Sequence, residues 1–259
     1  MNEFVHAKVE IGETAATIAA ERRYIADAVA AIKSARAHVE RKVRQDRFFL
    51  TTLEPYESRD DDSAVVKRMC DATTKAGVGP MAAVAGAVAA EAVEAMVRGG
   101  CTHCWVDNGG DIALMLDKAI TLEVFSDPDS GKAFGFVLGP TESPIGICSS
   151  SGKLGHSISF GNSDVVVAIA EDAVLADALA TAIANRVVDR ESLRTCFDPF
   201  RSVRGATGFL AMLDGEVAVF GKVPELVEVE HNADRLTVHS KMSSDRYTGS
   251  QKSGFGVKA

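Results

Sequence analysis

The chain has 259 residues, 46% apolar, 25% charged and 6% aromatic, a composition that permits a sizeable core and excludes a disordered or fibrous chain. Thirty-six acidic against 28 basic residues leave a net charge of −8, which opposes phosphate backbones and anionic lipid, so neither nucleic acid nor a membrane surface is an expected partner. Five cysteines behind an N-terminus with no apolar run point to free thiols in a reducing cytoplasm.

From Ala15 to Arg47 the residues Ile18, Ile25, Val29, Ile32 and Val39 recur at helical spacings, which predicts one amphipathic helix starting between Thr14 and Glu21 and ending before Phe48. Phe48–Pro55 reads as a short strand or extended segment stopped by proline, Glu57–Ser63 as a solvated acidic loop in preference to an acidic metal site, and Ala64–Lys75 as a second helix. Ala76–Ala90 is an uncharged run of 15 residues, short of the roughly 20 that cross a bilayer. Pro80 suits the first position of a buried helix with Gly79 as its cap, and Gly99 and Gly100 stop it.

Beyond Gly100 the pattern turns to β. Residues 101–108, 111–116, 120–126 and 133–139 predict a meander, with Asn108-Gly109-Gly110 as one tight turn. Strands follow at Ile145–Ser149, Ser157–Phe160 and Asp164–Ala170, then a helix over Asp172–Val187. Short strands at Gly208–Leu213, Glu216–Phe220 and Leu226–Glu230 close the folded part. Residues 1–230 are expected to form a single α+β domain, and His231–Ala259, polar and without periodicity, a flexible tail.

Four groups of residues carry candidate chemistry. Asp177 and Thr181 stand four apart on one face of an otherwise apolar helix, a pairing that suits a hard cation such as Mg²⁺; a buried aspartate bonded to backbone is the alternative. Gly77 and Gly79 precede a helix N-terminus able to hold an anion, or simply cap it. Cys148, Ser149, Ser150, Ser151, Gly152, Lys153 and His156 gather a thiol, hydroxyls and an imidazole on a glycine-containing stretch, which is either a ligand loop or a turn. An imidazolium beside Cys148 would lower its thiol pKa and make it a nucleophile; a small cysteine buried in a strand is the other reading. Cys101 and Cys104 lack the second pair a zinc site needs and lead into a strand, so they are expected to be structural.

In order, residues 77–93, 108–114, 146–161 and 170–184 resemble the landmarks of the ApbE-like superfamily, closest to an uncharacterised branch of it. The resemblance implies an ApbE-like α+β fold and a small-molecule ligand, with FAD or FMN and Mg²⁺ as candidate cofactors. By correspondence with the flavin transferases it places metal ligands at Asp177, Thr181 and the carbonyl of Ala82. It also draws Asn108, Gly109, Gly110 and Asp111 into the ligand site. The transferases carry His-Ile-Ile-Asp-Pro where this chain has His156 followed by Ser157-Ile158-Ser159-Phe160, and a lysine and an aromatic residue where its glycine-rich helix start has none. Ligand binding without FMN transfer is therefore the expectation. For its branch the resemblance further implies an association with sulfide assimilation and homocysteine formation, in which Cys148 and His156 would be catalytic; FMN transfer to protein is the third reading.

Overall fold

The computed structural model describes residues 3–127, 132–151 and 161–229. The chain opens not on a helix but on a hairpin, β1 (Phe4–Ile11) against β2 (Thr14–Glu21), and α1 (Arg22–Gln45) starts only after it. Alanine at four of the eight β2 positions hides the strand from any propensity argument. The strand forms because Ala16, Ile18 and Ala20 all reach the helix-side core while Ala19 faces the other way.

Phe48–Pro55 is not a strand either. The Asp46 carboxylate accepts the Phe48 N–H at 3.0 Å and starts a helical turn, α2 (Arg47–Thr51). The acidic loop that follows is tied down rather than solvated at Asp62, whose carboxylate meets the buried Lys42 ammonium at 2.8 Å. Tyr56 adds to the tie by donating its hydroxyl to Asp46 at 2.7 Å.

α3 (Ala64–Ala76) leads through a short 3-10 turn, Pro80–Ala83, into α4 (Val84–Arg98). Pro80–Arg98 is the one helical stretch among the described residues that is long and apolar enough to cross a membrane. Here it packs against α1 and against β3 (Cys104–Asn108) and β4 (Asp111–Met115). The strands β5 (Ile120–Asp127) and β6 (Lys132–Leu138) then leave the sheet begun by β3 and β4, so the expected meander is split. β4 pairs instead with β7 (Ile145–Ser150), and β7 with β8 (Val165–Ala170). α5 (Ala173–Ala184), α6 (Arg190–Thr195), β9 (Ala206–Leu213), β10 (Glu216–Gly221) and β11 (Glu225–Val229) complete the described chain. The expected strand Ser157–Phe160 and the tail from His231 lie outside the described residues.

The result is an α+β molecule of three layers. An antiparallel sheet in the order β1-β2-β3-β4-β7-β8-β9-β10 carries the helices on one face and the sheet β11-β6-β5 on the other. Alternate residues of each central strand serve the two cores: Val106, Ala113, Cys148 and Ala168 face the helices, while Trp105, Ile112, Ile147 and Val167 face Leu122, Phe136 and Leu138 of the small sheet. β8, Val-Val-Val-Ala-Ile-Ala, is buried on both faces and reads accordingly as an unbroken apolar run.

Within the helix layer α5 lies unusually deep. A side chain at Gly146 would meet Ala173 Cα at 2.2 Å, and one at Gly86 would meet the Ala173 carbonyl oxygen at 2.3 Å, so glycine on the sheet and on α4 is what lets α5 settle. Arg68 of α3 fastens the layer with a two-pronged bond to Asp172, the N-cap of α5, at 2.9 Å per contact and a third contact to Glu94 of α4 at 2.7 Å.

Candidate functional site

The close approach of α4 and α5 brings four separate stretches to one place: the start of α4, the β3–β4 turn, the end of β7 and the middle of α5. Gly109 and Gly110, with φ of 71° and 100°, make a two-residue turn that only glycine enters without strain at both positions. Asp107 fixes it by accepting the Gly110 N–H at 2.8 Å, and Asn108 pins it to α4 by donating its side-chain amide to the Ala85 carbonyl at 3.1 Å. Among the described residues nothing lies within 4 Å of where a Gly109 side chain would be.

Asp111 begins β4 and stands opposite Cys148 in register, on the helix side of the sheet. Above them Asp177 accepts the Gly86 N–H at 2.8 Å and a second N–H from Ala85, capping α4 from a neighbouring helix. The carboxyls of Asp111 and Asp177 lie within hydrogen-bonding reach of each other. Asp111 Oδ1 is buried and has no partner.

Burial dominates the electrostatics. It pushes Asp107 up to about 6 against the opposing bond from Gly110, and Asp177 up to about 7 against the bonds from Gly86 and Ala85. Asp111 is held well above the ordinary carboxylate range, by burial first and then by the charges of Asp177 and Asp107. Two carboxyls this close keep a proton or another cation between them.

The Cys148 thiol is also driven up, not down: it is fully buried, sits beside Asp111 and Asp177, and donates to the Ala173 carbonyl at 3.4 Å. The expected lowering of its pKa is thus reversed, because a buried anionic neighbourhood penalises a thiolate. His156, the imidazole meant to lower it, and Gly152 lie outside the described residues.

The remaining expected residues divide between site and scaffold. Thr181 stands one turn beyond Asp177 on α5 and is half-buried, and Ala82 lies in the turn leading to α4. Ser149 and Ser151 spend their hydroxyls on backbone, donating to Gly110 O at 3.2 Å and Ser163 O at 3.3 Å, while Ser150 is buried at the end of β7. Gly77 is the left-handed C-cap of α3, and Gly79 lies so close to Thr52 that a side chain there would meet its carbonyl oxygen at 2.0 Å. Gly77 is thus needed for its backbone conformation and Gly79 for packing. The α4 start, with Ala85 and Gly86 bonded to Asp177, has those two N–H groups already taken. Cys101 and Cys104 are buried free thiols, in keeping with their structural reading.

Asp107 escaped the sequence reading, although an aspartate just ahead of Asn-Gly-Gly is the signal of a turn-capping side chain. A cavity of about 390 Å³ beside the start of α5 is lined by Arg68, Glu94, Arg98 and Asp172. Those charges are already paired with one another, and it holds none of the carboxyls just described.

No trio of His, Cys, Asp or Glu among the described residues is arranged for a metal ion. Two carboxyls within reach of each other, one oxygen of them without a partner, nevertheless offer oxygen ligands, with Thr181 one turn further along α5. That set fits Mg²⁺, which takes one or two protein carboxylates and completes its shell with water and ligand phosphate.

Comparison with known proteins agrees with this architecture. A UPF0280 protein of Methanocella arvoryzae is 42% identical over 231 residues, covering 89% of this chain and 94% of its own. One from Methanosphaerula palustris is 42% identical over 236 residues, covering 90% and 98%. Among solved structures, a variant of the flavin transferase ApbE from Vibrio cholerae superposes with a TM-score of 0.53 at 13% identity, covering 84% of this chain and 97% of that one, a likeness of fold alone. The family model described as "AbpE bacteria" matches residues 2–197, and with relatives this similar over nearly their whole length the chain belongs to the ApbE-like superfamily, in the branch of the UPF0280 proteins.

Proposed function

We propose that this chain binds a phosphate-bearing small molecule, a flavin nucleotide being the first to test, together with Mg²⁺ held by Asp177 and Thr181, and that it does so without passing FMN to a protein. The observation that carries the reading is the convergence of the Asn108–Asp111 turn, the β7 end and Asp177 at the start of α4, with nothing among the described residues within 4 Å of a Gly109 side chain. Mg²⁺ would supply the positive charge a phosphate needs there, since Ala85 and Gly86 already spend their N–H groups on Asp177. The open glycine turn would let ligand approach the backbone closely. The missing Asp-Pro after His156 speaks against FMN transfer. Thiol chemistry at Cys148 has the raised pKa against it.

Calorimetric titration of the full chain with FAD, FMN and ADP, each with and without Mg²⁺, tests the reading. Binding of at least one nucleotide should depend on Mg²⁺ and weaken by about tenfold or more in Asp177→Asn, which keeps an oxygen to cap α4. Failure of all three to bind in either condition would end it.

A further inference from the structure

We infer that Asp111 is a second carboxylate ligand of the cation, so that Asp111 and Asp177 together seat one divalent ion whether or not a nucleotide is present. The inference rests on the cation site proposed above and adds to it a ligand from the sheet. Two independent observations carry it. The first is positional: Asp111 projects from β4 toward the helices and its carboxyl lies within hydrogen-bonding reach of the Asp177 carboxyl, although 66 positions in sequence separate them. The second is an unmet need. Asp111 Oδ1 is buried with no hydrogen-bond partner, in a fold where Asp107 and Asp177 each accept backbone N–H bonds.

An orphaned carboxylate oxygen facing a second carboxylate is a costly arrangement unless something positive lies between them. Among the described residues no Lys or Arg pairs with either group. Cys148, the remaining polar side chain beside Asp111, has one thiol proton, which reaches the Ala173 carbonyl and the Asp111 carboxyl, and it brings no positive charge to the pair. A divalent ion held between the Asp111 and Asp177 carboxyls would give Asp111 Oδ1 the partner it lacks. Thr181 and the Ala82 carbonyl then become outer or optional ligands. Two fixed carboxylates also change the order of events, because the ion no longer needs ligand phosphate to complete its charge and becomes a resident of the protein.

Mn²⁺ is the probe, read by electron paramagnetic resonance as loss of the free-ion signal, using the full chain with no nucleotide added. One Mn²⁺ per chain should bind, Mg²⁺ should compete for it, and Asp111→Asn should weaken it by about tenfold or more. Thermal unfolding of the same variant without metal separates ligand loss from misfolding: Asp111→Asn should unfold no lower than the natural chain, since it puts a neutral side chain of the same shape where burial already opposes a charge. If the natural chain takes up no Mn²⁺ without nucleotide, or Asp111→Asn binds it undiminished, the inference is overturned. Mg²⁺-dependent nucleotide binding that survives in Asp111→Asn would overturn it while leaving the proposed function standing. Mn²⁺ held by the pair with no nucleotide bound under any condition would do the reverse.

Discussion

Asp107 shows how much a single buried side chain can do to a turn and to the stability of the whole chain. Its carboxyl holds the Gly110 N–H, yet burial raises its pKa from the ordinary 3.8 to about 6. A group whose folded pKa is raised binds its proton more tightly when folded, so its contribution is complete below the unfolded value and is lost as pH climbs through the folded one. For Asp107 that window runs from about pH 4 to 6, and Asp177, raised to about 7, extends it upward. His103, lowered by burial, works the other way below its ordinary 6.5, but one group opposes several. The metal-free protein should therefore melt at a lower temperature at pH 8 than at pH 5. Asp107→Asn, neutral throughout and still able to accept the Gly110 N–H, should reduce that difference by on the order of 2–3 kcal/mol of unfolding free energy. Circular dichroism melts across pH decide it: a midpoint that rises from pH 5 to 8 would mean these carboxyls ionise without penalty, in contact with water.

At the scale of elements, legibility followed periodicity. α3, α5 and the strands β8 to β11 could be bounded from sequence to within a few residues, because each is a run of one period between clear breakers. The β1–β2 hairpin could not, since an alanine-rich strand carries no β signal of its own and its Ile18 falls in step with the helix behind it. Nor could sequence say that β5 and β6 desert the main sheet, for pairing partners are chosen by the tertiary core and not by the turn between strands. The site divides the same way. Asp177 and Thr181 were legible because helical spacing places them together, whereas the meeting of Asp111 with Asp177 and Cys148 depends on a register between strands far apart in sequence. Gly86 joins these levels. In an exposed helix Gly→Ala gains about 1 kcal/mol, but here the added carbon would lie 2.3 Å from the Ala173 oxygen and 2.7 Å from Asp177 Cβ. Gly86→Ala should thus lose about 1–3 kcal/mol in urea unfolding and weaken cation binding with it. Gly139→Ala, with nothing among the described residues within 4 Å, should do neither. Equal behaviour of the two variants would mean that α4 and α5 are not in the contact described.

The whole molecule separates support from chemistry by face. The small sheet covers the middle strands of the large one with Leu122, Val124, Phe136 and Leu138, and Asp111 and Asp177 lie across the large sheet on its helix side. Phe136 is fully buried between the two sheets, so Phe136→Ala should cost about 3–5 kcal/mol through lost burial and the void left behind. That loss falls on the core that holds Trp105, Ile112, Ile147 and Val167, whose neighbours in sequence, Val106, Asp111 and Cys148, face the other way. Because the central strands are shared, the variant also asks whether disturbance crosses the sheet. Backbone hydrogen bonds on both edges of β4 and β7 resist such movement, and the turn at Gly109 and Gly110 is held independently by Asp107 and Asn108. Measured well below its lowered melting temperature, Phe136→Ala should keep Mn²⁺ affinity within about twofold of the natural chain, as expected for sites without shared partners. A parallel fall of affinity and stability would show the two cores to be one mechanical unit, with the small sheet acting as part of the site.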